Sequence, residues 1–194
     1  MKYLVFDTET TGLPDWSKPA HAEGQPRLAS WCMLFVDEDL EIEQRYYELV
    51  RPDGWTMPLE AQAVNGLTQE RLLADGLPVR DALELLTGAV VDGRVLVAHN
   101  LSFDTKIMRG ELRRAQFIDE GCVDGICTMR GLTRVCGLPK ASGSGLKFPR
   151  LAEACKIVLG KDLPGAHNAL VDAKACLWLL RAMRERGLLM KEAA

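Results

Sequence analysis

The sequence predicts a single α/β domain built on a mixed β-sheet. Three β-like runs come first, at residues 2–7, 28–36 and 42–50, and the acidic separator between the second and third runs predicts a hairpin. Strand-like and helical segments then alternate, an order typical of a sheet that combines antiparallel and parallel strands. Because no linker or repeat divides the 194 residues, we expect one domain at 1–187 and a C-terminal tail at 188–194.

The middle of the chain carries helical patterns at residues 59–64, 68–74 and 78–90. The first ends at Asn65-Gly66, the second is stopped by Gly76, and the third starts with a proline suited to a first helical turn.

The second half alternates strands and helices. A strand at 94–98 leads into a helix through about Phe117, which we expect Ser102 to cap. A β-like piece near 122–127 precedes helical segments at 128–136 and 148–159, and the last helix starts near Gly165 and ends at Gly187. Residues 137–147 form the one flexible-looking loop.

The composition is that of an ordinary globular protein, with 47% apolar and 26% charged residues. No apolar run approaches the roughly 20 residues that span a bilayer, and no targeting signal is visible, so we expect a cytoplasmic protein without a membrane segment. The six cysteines are scattered without a CxxC pair, which favours reduced thiols. At a net charge of -3, the whole-molecule field does not attract nucleic acid, which would need local basic patches and bound cations.

Two carboxylates close the first predicted strand. Asp7 and Glu9 are two residues apart, so in an extended chain they point to one face, together with Tyr3 and Val5. Such a pair is costly to desolvate unless a cation lies between its members, and Mg²⁺ or Mn²⁺ prefers oxygen ligands. An isolated pair of this kind is nevertheless more often a strand end that runs into a polar turn.

Two further acidic positions have the same character. Asp104 follows a short apolar strand and lies in the first turn of a predicted helix, where an acid also complements the helix dipole. Asp172 borders the apolar stripe of the last helix, five residues after His167, and an acid at the edge of a buried face needs a partner. We expect that stripe to dock the helix on the sheet; it consists of Ala169, Ala173, Cys176, Leu180 and Met183.

Together these positions form three motifs, Asp-Thr-Glu-Thr-Thr-Gly at 7–12, His-Asn-Leu-Ser-Phe-Asp at 99–104 and His-Asn-Ala-Leu-Val-Asp at 167–172. They resemble the motifs of the DEDDh superfamily of 3′-to-5′ exonucleases, which includes the proofreading epsilon subunit of bacterial DNA polymerase III and the oligoribonucleases. Segments at 26–28, 50–54 and 64–68 resemble the epsilon-like branch. The resemblance extends from residue 1 to about residue 185.

The resemblance implies an RNase H-like fold, a central mixed sheet flanked by helices, and a phosphodiester hydrolase that releases nucleoside 5′-monophosphates from the 3′ end of single-stranded or frayed DNA. It implies two divalent metal ions, Mg²⁺ or Mn²⁺, as cofactors. Asp7, Glu9 and Asp172 would hold the metal that carries the attacking water, Asp7 would bridge to a second metal supported by Asp104, and His167 would be the general base. The family motifs also imply substrate contacts, which we assign to Thr8, Thr10, Gly12, Leu13 and Phe103, with Leu13 as a wedge against the terminal base.

Other polar and aromatic residues leave two interpretations open. His99 ends a strand and is expected to orient its motif, whereas His21 lies in a proline-rich loop. Two basic groups either contact phosphates or form a solvated surface; they are Lys140, Lys147 and Arg150, and Arg109, Arg113 and Arg114. The four tryptophans form no spaced stacking series and are assigned to core or loop packing; they are Trp16, Trp31, Trp55 and Trp178.

Two alternatives remain at the level of the sequence. The same site could act on short or structured RNA ends, since no residue pattern reads the sugar 2′ position. A catalytically silent binding module is the alternative of another class, and the presence of all four acids and the histidine argues against it. No segment after the last helix resembles a polymerase tether, which favours a free-standing enzyme, and the oligomeric state cannot be deduced.

Overall fold

Five strands form one mixed sheet in the order β3-β2-β1-β4-β5. The computed structural model describes residues 1–119, 121–122 and 124–189. Strands β1 to β3 are antiparallel neighbours, and β4 and β5 add parallel strands beside β1. The strands are β1 (Tyr3–Thr10), β2 (Leu28–Val36), β3 (Ile42–Leu49), β4 (Val95–Ala98) and β5 (Gly125–Cys127). The predicted hairpin and the predicted mixed sheet are therefore confirmed.

Helices cover both faces of this sheet, which completes the α/β architecture expected from the sequence. Those in the described residues are α1 (Leu59–Asn65), α2 (Gln69–Asp75), α3 (Val79–Val91), α4 (Leu101–Arg114), α5 (Thr128–Cys136), α6 (Leu151–Ala154) and α7 (Ala169–Glu185). A π-helical turn, Cys155–Leu159, continues α6. No helix among the described residues combines the length and the apolar composition needed to cross a membrane.

The alternation of side chains along β1 divides the core into two layers. Leu4 and Phe6 pack with the buried side chains of α3 and α4 on one face. Tyr3 and Val5 pack on the other face with α7. Four of the five residues of the predicted α7 stripe contribute to this second layer, whereas Met183 packs in a smaller cluster with α5 and the α6 region. The face of β1 that carries Asp7 and Glu9 is therefore the face that α7 covers.

One predicted helix cap and one predicted helix start are wrong. Ser102 does not cap α4, because Asn100 stands at the N-cap in the left-handed region (φ 80) and Ser102 lies inside the helix. Helix α7 starts at Ala169 and not near Gly165, because the Asn168 side chain caps it and accepts hydrogen bonds from the backbone N–H of Leu170 (3.1 Å) and Val171 (3.3 Å).

Other boundaries shift by a few residues for local reasons. Helix α4 ends at Arg114, since Gln116 is left-handed (φ 61) and Phe117 N–H donates to the carbonyl of Leu112 at 2.8 Å. The segment predicted as a helix from residue 148 becomes helical only at Leu151, after Pro149 and the extended Arg150. Of the predicted tail, Leu189 packs against the core, and residues 190–194 lie outside the described residues.

A buried ion-pair network fixes the far end of α4. Glu111 is 1% exposed and accepts from Arg27 Nε (2.8 Å) and Arg27 Nη2 (3.1 Å), from Leu28 N–H (3.1 Å) and from Arg114 Nη1 (3.1 Å). Removing one partner of a buried ion pair strongly destabilises the folded state, because it leaves a charge uncompensated in the interior. The network ties α4, which carries Asp104, to the start of β2.

All six cysteines are free thiols, as predicted. Cys127 is half-buried and the other five are buried, in agreement with small apolar side chains in a reduced core.

Candidate active site

Strand β1 delivers two carboxylates to the α7 side of the sheet. Asp7 and Glu9 continue the face of Tyr3 and Val5 and are only half-buried, since they lie where the covered surface ends. The regular pairing with β2 breaks between Glu9 and Thr10, where a register shift marks the end of the ladder. The common face predicted for the two acids is thus present in the fold.

The third carboxylate comes from the first turn of α7. Asp172 is buried, and one ligand oxygen each from Asp7, Glu9 and Asp172 lie within 4.8 Å of one another. Asp172 Oδ2 accepts a hydrogen bond from the backbone N–H of His167 at 3.0 Å. Its Oδ1 is buried without a hydrogen-bond partner among the described residues. Residues 165 positions apart in sequence therefore converge, as the three motifs predicted.

Asp104 lies beside this group and is not one of its three members. It is 2% exposed, and its Oδ1 accepts from the backbone N–H of Thr8 at 3.1 Å and from Thr8 Oγ1 at 2.8 Å. Thr8 lies in β1 between Asp7 and Glu9. Its two hydrogen bonds therefore hold Asp104, from α4, close to the part of β1 that carries these two acids. The charge of Asp104 therefore raises the pKa of Asp7 and of Glu9, although α4 covers the opposite face of the sheet.

Burial and mutual repulsion raise the pKa of the clustered acids. Burial raises the pKa of Asp7 well above its usual range, with further contributions from Asp104, Asp172 and Glu9. Burial, followed by repulsion from Asp172 and Asp104, raises the pKa of Glu9 to about 8. Burial raises the pKa of Asp104 to about 7 against the opposing hydrogen bonds from Thr8, and it also raises the pKa of Asp172. Without a bound cation, these four carboxyl groups therefore resist ionisation more than free carboxyl groups do.

The donor set fits a divalent cation. The three convergent ligand atoms are carboxylate oxygens, which Mg²⁺ and Mn²⁺ prefer, and Asp172 Oδ1 is a buried acceptor that lacks a donor. Among the described residues, every salt bridge of a lysine or arginine goes to another acid, and none reaches Asp7, Glu9, Asp104 or Asp172. A cation bound by Asp7, Glu9 and Asp172 would supply positive charge to the acids and a partner to Asp172 Oδ1.

His167 lies just before α7 and not on it. Its backbone is left-handed (φ 68), its side chain is exposed, and its N–H bond to Asp172 holds this turn against the acidic group. The next residue, Asn168, caps α7 and donates from Nδ2 to Tyr47 Oη at 3.4 Å. The imidazole is therefore presented to solvent on a turn that is anchored to a carboxylate of the site.

The predicted substrate residues divide into buried and exposed ones. The hydroxyl groups of Thr8 and Thr10 are engaged within the protein, Thr8 with Asp104 and Thr10 with the carbonyl of Gly12 at 2.7 Å. Leu13 is 87% exposed beyond the end of β1, and Phe103 is half-buried against the core. Substrate contact by these residues stays a prediction, and Leu13 has the exposure that a wedge requires.

Two further residues support the site. His99 bridges the end of β4 to its surroundings, with Nδ1 at 2.9 Å from Thr128 Oγ1 and Nε2 at 3.0 Å from the carbonyl of Pro149, which agrees with the predicted orienting role. Asn65 donates from Nδ2 to the carbonyl of Thr10 at 3.2 Å. The sequence marks Asn65 only as a helix stop, because its contact depends on a partner 55 residues away.

Comparison with known proteins assigns the chain to a family. The exonuclease family model RNase_T matches residues 4–180, so the chain belongs to this exonuclease family. Its relatives include the DNA polymerase III subunit epsilon-like protein of Rhodobacter capsulatus, which is 27% identical over 97% of this chain and 25% of the relative. The DNA polymerase III subunit epsilon of Treponema pallidum is 26% identical over 93% of this chain and 75% of the relative. The predicted membership of the DEDDh exonuclease superfamily is confirmed.

Other relatives extend the comparison. Small RNA degrading nuclease 3 of Arabidopsis thaliana is 29% identical over 78% of this chain and 17% of the relative. Among solved structures, E. coli exonuclease I in complex with a dT13 oligonucleotide has a TM-score of 0.75 and 19% identity, over 95% of this chain and 41% of that protein. This likeness confirms the RNase H-like fold. The chain spans about a quarter of the length of its Rhodobacter relative and 17% of the Arabidopsis one.

The raised pKa values predict that the metal-free protein loses stability as the pH rises from 6.5 to 8. A raised carboxyl pKa means that the folded state binds more protons than the unfolded state, so the stabilisation is full below the unfolded pKa and is lost as the pH passes the folded pKa. In this window the unfolded carboxyl groups are already ionised, whereas Glu9, with a pKa of about 8, and Asp104, with a pKa of about 7, still release protons from the folded state. In EDTA we expect a loss on the order of 3 kcal/mol, or roughly 5–10 °C in Tm.

Other groups that would change the stability with pH titrate outside the range from about pH 6.5 to 8. Burial lowers the pKa of His99, which acts in the other sense below about pH 6.5, and thiols titrate above about pH 8.5. Scanning calorimetry with and without saturating Mn²⁺ checks the prediction: Mn²⁺ should flatten the dependence, and Glu9→Gln should reduce it. A Tm that is constant or rises between these pH values in EDTA would contradict it.

Proposed function

We propose that this chain is a metal-dependent 3′-to-5′ exonuclease that hydrolyses nucleotides from the 3′ end of single-stranded or frayed DNA. The observation that carries the proposal is the convergence of the Asp7, Glu9 and Asp172 carboxylates within 4.8 Å in a chain of the exonuclease family. E. coli exonuclease I, whose fold it shares, has been solved with dT13. The catalytic domain in this proposal is residues 1–187.

Asp7, Glu9 and Asp172 would hold the first cation, and Asp7 and Asp104 the second. Bound Mg²⁺ or Mn²⁺ supplies neutralisation of the scissile phosphate and a more acidic water. Asp172 gains a partner for its buried Oδ1, and Thr8 keeps Asp104 in place through two hydrogen bonds. Four carboxylates and two divalent cations have no net formal charge, so a phosphate can enter the cleft without repulsion from the acids.

His167 is proposed as the general base that takes the proton of the attacking water. Histidine is the side chain that most often acts as a general base. The exposed side chain is accessible to water, and the N–H bond to Asp172 keeps the turn beside the acids. The proton can then leave to solvent from the exposed ring.

RNA is the second candidate substrate, because the Arabidopsis relative is named a small RNA degrading nuclease. No side chain among the described residues identifies a binding site for the sugar 2′ position. Hydrolysis of matched DNA and RNA oligonucleotides of the same sequence, labelled at the 5′ end, in Mg²⁺ distinguishes the two. Ladders that shorten from the 3′ end on DNA support the main proposal, ladders on RNA alone support the second, and no ladder on either contradicts both.

Removal of one ligand should abolish hydrolysis without loss of fold. Asp7→Asn or Asp172→Asn should slow single-turnover cleavage more than about 100-fold, since even outer partners of metal ligands cost 10–100-fold. The Tm in EDTA should stay equal or rise, because each change removes a repelling charge. Asp75→Asn, at an exposed acid of α2, is the matched control and should keep full activity. Near-normal cleavage by either site variant would refute the metal assignment.

His167→Ala should lose the base and keep the metal site. We expect single-turnover cleavage to fall roughly 10²–10⁴-fold, with unchanged Mn²⁺ affinity by calorimetry. The residual rate of the variant should recover as the pH rises, because hydroxide can replace the missing base. His21→Ala, an exposed histidine in the 12–27 loop, is the control. A variant with the rate and pH profile of the wild type would assign the base elsewhere.

A further inference from the structure

An open groove of about 1160 Å³ follows the edge strand β5 and the outer side of α4. Leu101, Ser102 and Thr105 line one part of it, and these residues flank Asp104 on α4. The groove therefore reaches the first turns of α4, the part of this helix that carries Asp104, and none of the predicted site residues lines it.

The groove concentrates positive charge in a chain whose net charge is -3. Its described lining includes one carboxylate, Asp124, and five cationic side chains, Lys18, Lys106, Arg109, Arg113 and Arg130. Lys18 pairs with Asp15 at 3.6 Å, and Arg109 and Arg113 share Asp119 at 2.9 and 2.8 Å. With Asp124, three carboxylates among the described residues therefore face five cations, which leaves an excess of positive charge. Two members of the basic stripe whose role the sequence left open therefore lie in the groove, whereas Arg114 bonds to the buried Glu111.

An exposed tryptophan stands at the groove wall on a fixed loop. Trp16 is 59% exposed, contrary to its assignment to packing, and Lys106 Nζ lies 4.9 Å from its ring centroid. Lys106 Nζ donates to the carbonyls of Asp15 (2.8 Å) and Lys18 (3.0 Å), and the buried Gln25 donates to the Asp15 carbonyl at 2.8 Å. The ring is therefore held in place while its surface stays accessible.

We propose that this groove binds the single strand upstream of the 3′-terminal nucleotide, with Trp16 stacked on a base and Lys18 and Arg130 near phosphates. The inference rests on the proposed exonuclease function. A positively charged groove with an accessible aromatic ring is the general recognition mode for single-stranded nucleic acid, and stacking requires unpaired bases. Because every base has a stacking face, the chemistry is shared by DNA and RNA.

The test compares a long and a minimal substrate. Hydrolysis of 5′-fluorescein dT12 and U12, and of the dinucleotides dTpdT and UpU, is measured for the wild type and for Trp16→Ala. We expect Trp16→Ala to raise KM for the active 12-mer about 5- to 150-fold, the range of one lost stack, and to leave kcat/KM for the dinucleotide unchanged. Trp16→Phe should restore most of the loss, which a defect in folding would not allow.

A second exposed tryptophan, outside the groove, offers a matched control. Trp178 is also exposed, with Lys161 Nζ 5.3 Å from its ring centroid, but it does not line the groove. Trp178→Ala should leave KM for both substrates unchanged. Arg130→Gln should reduce the slope of log kcat/KM against log salt concentration for the 12-mer by about 0.7, the value for one phosphate contact to a single strand.

Trp16→Ala with the KM of the wild type for the 12-mer, or with an equal loss on the dinucleotide, would overturn the groove assignment. If the wild type hydrolyses neither 12-mer, the exonuclease proposal fails separately. Fluorescence anisotropy of the labelled 12-mers in Ca²⁺ then tests the groove alone: binding weakened by Trp16→Ala supports it, and binding indifferent to Trp16→Ala refutes it.

Discussion

Repulsion among carboxylates is the constraint on which the site of this protein depends. Asp7, Glu9 and Asp172 are gathered within 4.8 Å, and Asp104 is joined to them through Thr8, although burial raises the pKa of every one. A fold that tolerates such a cluster has to position it by packing and hydrogen bonds that outweigh the repulsion. Protonation lowers this cost, and a cation bound by the carboxylates would offset it.

Those contacts are distributed over three elements. Strand β1 is central in the sheet: it pairs with β2 along its whole length, including Asp7 and Glu9, and with β4 at Tyr3–Val5. Helix α7 is docked by small and apolar residues of its inner face, and Asn168 sets its first turn. Helix α4 is fixed at its far end by the buried Glu111 network and at its near end by the Thr8–Asp104 bonds. The acids are thus held by a rigid frame, which is what a pre-organised catalytic site requires.

Residue patterns predicted most of this frame, since strand alternation and the α7 stripe are local signals of which face is buried. They also indicated all four acids and His167. They failed where the outcome depends on a distant partner: His167 was expected on a helix, and the Asn168 cap excludes it. Glu111 carried no signal because its partners are 83 and 84 residues away, and Trp16 was assigned to packing because its exposure depends on how Gln25 and Lys106 hold its loop.

The central claim is that residues of β1 and α7 jointly bind divalent cations. The most direct measurement is a crystal structure of the protein soaked with Mn²⁺, with anomalous diffraction recorded at the manganese edge. The account predicts an anomalous peak bonded to carboxylate oxygens of Asp7, Glu9 and Asp172 at roughly 2.0–2.3 Å, the range for small divalent cations with oxygen ligands. Mn²⁺ bound elsewhere on the molecule, with these three carboxylates free of metal at saturating concentration, would contradict it.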